Sequence, residues 1–298
     1  MAMMSVHGFY DMHVHTGPAP FRRIGDTVDI ARWCAEAGMA GMVAKSHFES
    51  TISKAHHAQR EVRDFHVFAA VVLNRGVGGI NPVAVYHALQ QGAKVVWMPT
   101  IDAQHHAKTF GHTGTFGFAS MTVKYEGGVR EREPLTCLAN GKLTEDTKEV
   151  IEAVAAHDAV LATGHLSKEE IFEVVEYALS KKVRKILITH PEWLVPNLDV
   201  HIQVKLAQAG CFVEYCAASV FPMSPSVTVE QMKEMIQAVT PERAILSTDT
   251  GQPFSAKTPE QMRVFAQVLH ERGLSEEAIA RMAITNPAYL LGVTETLP

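Results

Sequence analysis

Cysteine is scarce in this chain: four in 298 residues, Cys34, Cys137, Cys211 and Cys216, with no C-x-x-C pair among them. That density excludes a disulfide scaffold and makes a reducing cytoplasm the expected compartment. No apolar run reaches the length that spans a bilayer, and the opening Met-Ala-Met-Met-Ser-Val-His-Gly lacks the basic start and apolar stretch of a signal peptide. Positive charge is not in excess either. Lys and Arg number 27 against 32 Asp and Glu, a net charge of −5, so neither nucleic acid nor an anionic membrane is an expected partner. Low-complexity tracts and linkers are missing as well. With 47% hydrophobic and 20% charged residues the chain is neither disordered nor fibrous, and its length can bury a sizeable core. What it has in unusual number is histidine, 16 in all.

One rhythm runs nearly from end to end: a short apolar run, a polar loop, an amphipathic helix. The expected strands are Gly8–His15, Met39–His47, His66–Leu73, Lys94–Ile101, Ala159–His165, Lys185–His190, Cys211–Cys216 and Ala244–Asp249. Several are continuously apolar rather than alternating, as in parallel strands covered on both faces. Helix starts carry physical marks: Asp26 with Asp29 before Thr27–Ala37, Asn81-Pro82 before Val83–Gln91, the capping box Ser167…Glu170 before Lys168–Ser180, and Thr258-Pro-Glu-Gln261. Eight strand–helix repeats with right-handed crossovers predict an α/β fold, a single-domain (β/α)8 TIM barrel over residues 1–298. An open doubly wound sheet is the alternative, but no G-x-G-x-x-G turn follows the first strand. Consecutive strand ends lie about 25 to 33 residues apart, except for about 64 between the fourth and fifth. The excess, 102–143, is expected to form a lid over the mouth, or a mere decoration or oligomer contact, with a small hairpin turning at Asn140-Gly141.

In such a barrel the C-terminal strand ends face the active site. Strand one ends Asp11-Met-His13-Val-His15, strand five at His165, strand six at His190 and strand eight at Asp249. His13 and His15, two positions apart, leave the same face of their strand. A lone histidine at a strand end is ordinarily a hydrogen-bonded rim residue. Five ligand-type residues at the same end of four strands point instead to a divalent transition metal, zinc first, with manganese or iron as other options.

These residues resemble the metal-dependent amidohydrolase superfamily, with His13-Val-His15, His165, His190 and Asp249 in the family's strand order and a closing Asn286-Pro-Ala-Tyr-Leu-Leu-Gly292 like its N-P-x-x-L-L-G tail. Only twelve residues precede His13, so the chain resembles the compact, barrel-only members. The resemblance implies metal at His13, His15, His165, His190 and Asp249, a hydrolytic proton shuttle at Asp249, and oxyanion stabilisation by His190 where it is not a ligand. It also implies that homo-oligomers are common. The bridging lysine or glutamate of two-metal members is missing from strands three and four, since Lys94 sits at the wrong end of strand four. That tilts the expectation towards one metal, or a second weakly held one.

Lys45 and His47 share a face at the end of strand two and are expected to meet an anionic substrate, or, for Lys45, developing charge. Arg22 and Arg23, on the loop after strand one, can grip a carboxylate or phosphate, as readily as they can stay solvated. Of the adjacent His105 and His106 one is expected to reach the site, with His105 the choice; His112, Phe116 and Phe118 are further lid candidates. Glu214 is a buried partner for one of the cations, Trp97 a core residue, His56-His57 a solvated pair, and Cys216 shows no pairing pattern of a nucleophile. The resulting expectation is hydrolysis of a small-molecule amide, lactone or ester by metal-activated water. A one-metal lyase of the same superfamily acting on an unsaturated carboxylic acid is the alternative, and a non-catalytic barrel a third.

Overall fold

The computed structural model describes residues 3–117, 119–123, 132–222 and 224–294, so Phe118 and residues 124–131 of the long insertion lie outside the described residues. The strands are β1 (Tyr10–His15), β2 (Gly41–Lys45), β3 in two pieces (His66–Phe68 and Ala70–Val72), β4 (Val95–Trp97), β5 (Val160–Ala162), β6 (Ile186–Ile188), β7 (Phe212–Cys216) and β8 (Ala244–Ser247). Each pairs in parallel with the next. The first piece of β3 pairs with β2 and the second with β4; Thr51 fills the break, its hydroxyl donating to the Ala44 carbonyl and accepting from the Ala70 N–H. The circle closes between β8 and β1, where Val14 bridges Thr250 in parallel and the Asp249 N–H donates to the His13 carbonyl at 3.0 Å. This is the (β/α)8 barrel expected from the rhythm.

Outside the strands run helices α1 (Thr27–Glu36), α2 (Ile52–Glu61), α3 (Pro82–Gln90), α4 (Glu145–Ala156), α5 (Lys168–Ser180), α6 (Val200–Gln208), α7 (Val229–Val239) and α8 (Thr258–Glu271). The boxes at Asp26/Asp29 and Ser167/Glu170 are both formed. Thr258 is not a cap: its hydroxyl bonds Thr250 at 2.8 Å and α8 starts on it after Lys257. Strand segments are shorter than the apolar runs because their last residues leave the ladder to build the mouth. The insertion after β4 contains, besides the expected hairpin (Leu138–Ala139 with Lys142–Leu143), a short helix, Gln104–Phe110.

Apolar side chains form an inner layer inside the strands, including Met12, Val43, Val72, Trp97, Leu187 and Phe212, and outer layers between strands and helices. The tail Asn286–Leu290 closes the barrel bottom, Asn286 donating to the carbonyls of Pro241 and Ala244 while Ala288, Leu290 and Leu291 join the inner layer. Among the described residues no helix is long and apolar enough to cross a membrane.

β1 carries a register shift between Asp11 and Val14: two residues, Met12 and His13, stand against one on β2. Such a bulge changes the parity of everything after it. Met12 packs in the inner layer, His13 also faces inward, Val14 turns to the outer layer, and His15 comes in again. Without the extra residue the inward parity of Tyr10 and Met12 would send both histidines towards the helices.

Candidate active site

A cavity opens at the C-terminal strand ends, and its floor is polar. His13 Nε2, His15 Nε2 and Asp249 Oδ1 converge there, Oδ1 lying 3.3 Å from the first and 3.0 Å from the second. Behind His13, Glu214 Oε2 stands 3.2 Å from Nδ1, and Glu214 Oε1 accepts from the Ser247 hydroxyl at 2.8 Å. With the Ser247 proton directed at Glu214, the network is satisfied when His13 donates from Nδ1, which leaves a lone pair on Nε2. Two electron-donating atoms, His13 Nε2 and Asp249 Oδ1, thus face each other across 3.3 Å, an arrangement that a cation reconciles. In the structure the Lys45 ammonium answers it, 2.8 Å from Nε2 and 4.8 Å above the Trp97 ring.

Two further networks fix imidazole tautomers. The amide oxygen of Asn74 accepts from the N–H groups of Thr100 and Asp102, so its nitrogen donates to the Thr100 hydroxyl. That hydroxyl then donates to His47 Nδ1 at 2.9 Å, leaving His47 Nε2 as the ring's N–H. On the other side, His106 Nε2 donates to the Thr115 carbonyl at 2.7 Å, so its Nδ1 accepts from His165 Nδ1 at 2.8 Å and His165 Nε2 keeps a lone pair. These assignments require neutral rings, and burial supplies them: it pushes His13 and His190 down to about 3, His106 to about 4, and His15, His47 and His165 well below the usual range. Burial likewise lowers Lys45 to about 8, against the pull of Asp249 and Glu214, and raises Glu214 to about 7.

Backbone strain marks the site. His190 and Asp249, both non-glycine, have φ of 27° and 54°, a left-handed geometry that side-chain sterics disfavour and that recurs at functional positions. Two glycines let chains pass closely beside the ligand-type residues. A Cβ on Gly164 would lie 2.4 Å from the Met98 carbonyl oxygen, and one on Gly251 2.0 Å from that of His15. Asp11, buried, accepts from the N–H groups of His13 and Thr248 and so ties β1 to β8 beneath the cluster.

His13, His15, Lys45, His47, His165, His190, Asp249 and Arg23 all line the cavity. Among the described residues two groups bring ligand-type atoms together, His13 with His15 and Asp249 in the cavity and His13 with Glu214 and Cys216 behind it; His165 and His190 stand beside them, their rings tilted with centroids 5.1 Å apart. Two expectations need correction. Arg22 is exposed on its loop and does not line the cavity, its neighbour Arg23 turning inward instead. His105 is likewise not a lining residue: on the short helix it points about 100° away from His106, which is the buried one. The spacing of His106 and Phe110, one helical turn apart, is the signal that would have chosen correctly. Trp193, absent from the expectations, meets His165 at a tilt and His190 edge-on, with centroids 5.3 and 5.1 Å apart. Cys216 is buried with its sulfur 3.9 Å from His13 Nδ1, and burial raises its thiol well above the usual range. His56 and His57 are exposed and Trp97 is core, as expected.

Residues 8–214 match the family of unknown function DUF6282, and the chain belongs to that family. No curated protein matches the sequence. Solved structures are similar at low identity. An amidohydrolase from Pseudomonas aeruginosa, 12% identical, aligns over 95% of each chain with a TM-score of 0.63. A probable dipeptidase, PvdM, from the same organism is 11% identical over 95% of this chain and 94% of its own, TM-score 0.61. A lactonase template engineered for organophosphate hydrolysis is 13% identical over 97% of both, TM-score 0.58. The fold is therefore that of the amidohydrolase-type barrels.

Proposed function

We propose that this member of DUF6282 is a metal-dependent hydrolase acting on a small-molecule amide, lactone or ester. The observation that carries the reading is the convergence of His13 Nε2, His15 Nε2 and Asp249 Oδ1, two of them electron-pair donors 3.3 Å apart that share the Lys45 ammonium as their nearby cation. The donor set suits a divalent ion: two imidazoles and a carboxylate, with Glu214 behind His13 raising its basicity. His165, its Nε2 lone pair fixed through His106, and His190 are the reserve ligands on the facing wall. Zinc is the first choice and manganese or iron the others. When bound, such a metal acidifies water and polarises a carbonyl.

The chain's own residues do the rest. Asp249 has a side chain 20% exposed, whereas those of His13 and His15 are almost fully closed off, so it is the member of the cluster that reaches a water. It takes the proton from that water and returns it to the leaving group. His47 donates its Nε2–H to the oxygen on which charge develops, a role shared with His190, and Lys45 supplies a buried positive charge on the same side. Phe110, Phe116 and Met121, from the insertion after β4, wall the cavity and exclude water as a lid does.

The test is metal content by elemental analysis, followed by a screen of amides, lactones and esters. A protein that binds no divalent metal after reconstitution, or that with metal opens none of these bonds, overturns the reading. A lyase acting on an unsaturated carboxylic acid uses the same residues, and the inward guanidinium of Arg23 favours keeping it as second reading. Release of carbon dioxide, or loss of alkene absorbance by hydration, with no new amine or alcohol would select it.

A further inference from the structure

Arg23 is the unspent cation of the cavity. Its side chain lines the wall, its Nε is buried without a hydrogen-bond partner, and among the described residues no carboxylate is ion-paired with it. Asp249, the acid of the cavity lining, attracts Arg23 through space but gives its Oδ1 to His13 and His15. The position of Arg23 is held by the fold: the next residue, Ile24, donates to the Gly251 carbonyl at 2.9 Å, and the guanidinium carbon sits 4.8 Å over the buried ring of Phe21. The residue as a whole is half-buried, so its terminal nitrogens remain open to a ligand, and its planar fork matches a carboxylate.

Several of the cavity's other polar groups are engaged. Lys45 is on His13, the Ser224 hydroxyl oxygen accepts from Trp193 Nε1, and the Gln252 amide donates to the Asp249 carbonyl. The fork of Arg23 suits one carboxylate, with the His47 Nε2–H left for the reacting oxygen. The lining also holds six large apolar side chains, Phe110, Phe116, Met121, Trp193, Leu194 and Phe254. Leu194 and Phe254, 49% and 56% exposed, stand at its rim, and Phe110, Phe116 and Trp193 have ring centroids 5.9 to 6.2 Å apart.

We propose that the cavity takes a small monocarboxylate bearing an aromatic-sized apolar group, its carboxylate forked by Arg23 and its apolar part laid against Phe110, Phe116 and Trp193. The inference rests on the cavity being the substrate site of the proposed hydrolase and names the class of compound that fills it: an amide, ester or lactone derivative that keeps one free carboxylate.

Calorimetric titration of the purified full-length protein tests it, with phenylacetate, phenylacetamide, acetate and inorganic phosphate as probes. Phenylacetate is expected to bind about tenfold or more tightly than either phenylacetamide or acetate, since a charge-assisted fork and a ring contact each contribute that order. Arg23→Gln is expected to erase the acid-over-amide ratio while leaving phenylacetamide affinity in place. Arg23→Lys keeps the charge but loses the fork, and is expected to weaken phenylacetate about tenfold. Equal binding of acid and amide, phosphate binding more tightly than phenylacetate, an unchanged ratio in folded Arg23→Gln, or undiminished acid binding in Arg23→Lys would each overturn the inference. Binding needs no turnover, so the two readings fail separately. Arg23-dependent acid binding in a protein that hydrolyses nothing sinks the hydrolase, whereas hydrolysis of neutral esters without acid preference sinks the monocarboxylate.

Discussion

The two sides of the cavity are built from the same amino acid, histidine, and do different things with it. On the side of β1, β2, β7 and β8 the imidazole of His13 touches Glu214, Lys45 and Asp249, each at 3.3 Å or less. On the side of β5, β6 and the insertion, His106 stacks on His165 at 4.8 Å, and His106, His165 and His190 meet Phe116 or Trp193 tilted or edge-on at 5.1 to 5.3 Å; their partners are rings and a carbonyl. The first side holds charges because neighbouring strands supply opposite ones. Burial keeps the imidazoles of both sides neutral; on the second side no carboxylate is ion-paired with a ring among the described residues. In the proposed reading proton transfer falls to the first side and positioning to the second.

The largest expected effect lies on the charged side. Replacing both His13 and His15 by alanine removes two of the three converging donors and should abolish metal binding, read by elemental analysis after reconstitution. Retention of stoichiometric metal would move the centre to the facing wall and dissolve the contrast. Asp249→Asn keeps one oxygen donor but loses the base. Activity should fall by about 10²–10⁴-fold with much of the metal kept, and near-full turnover would make Asp249 a structural residue.

Smaller effects separate positioning from chemistry. Glu214→Gln should weaken metal binding by about 10–100-fold, because the carboxylate behind His13 sets that ring's tautomer and basicity. His106→Phe should flip the His165 tautomer, seen in the ¹⁵N shifts of its ring, with a loss of metal affinity or activity of about tenfold or more if His165 joins the ligands. An unmoved His165 tautomer would break the Thr115–His106–His165 chain. Mildest of all, Phe116→Ala should raise KM about fivefold at nearly constant kcat, the scale of one aromatic contact. A comparable drop in kcat would mean that the apolar wall takes part in the chemistry.

Much of this site was legible in the bare chain because a barrel translates strand order into place. Apolar runs at regular spacing define eight strands, and a polar residue at the end of each run must emerge at the mouth. His13, His15, His165, His190 and Asp249 could be found that way, as could the Asn140-Gly141 hairpin and the tail that plugs the bottom. Strand order also carries position around the ring, but only approximately, and contact is decided within a few tenths of an ångström.

Closure of β8 onto β1 brings Asp249 against His13 and His15, while His165 and His190 stand on strands further round. The phase of β1 depends on a bulge, which no alternation pattern in Tyr10–His15 announces, since it exists only against the register of β2. The choices of Arg23 over Arg22 and His106 over His105 depend on the course of loops, where one residue of rotation exchanges cavity for solvent. The role of Glu214 depends on β7 lying beside β8, so that Ser247 and His13 share its carboxylate. Local pattern decides what kind of residue reaches the mouth; which of them touch is a long-range property, settled by packing between segments up to 237 residues apart, as Asp11 and Thr248 are.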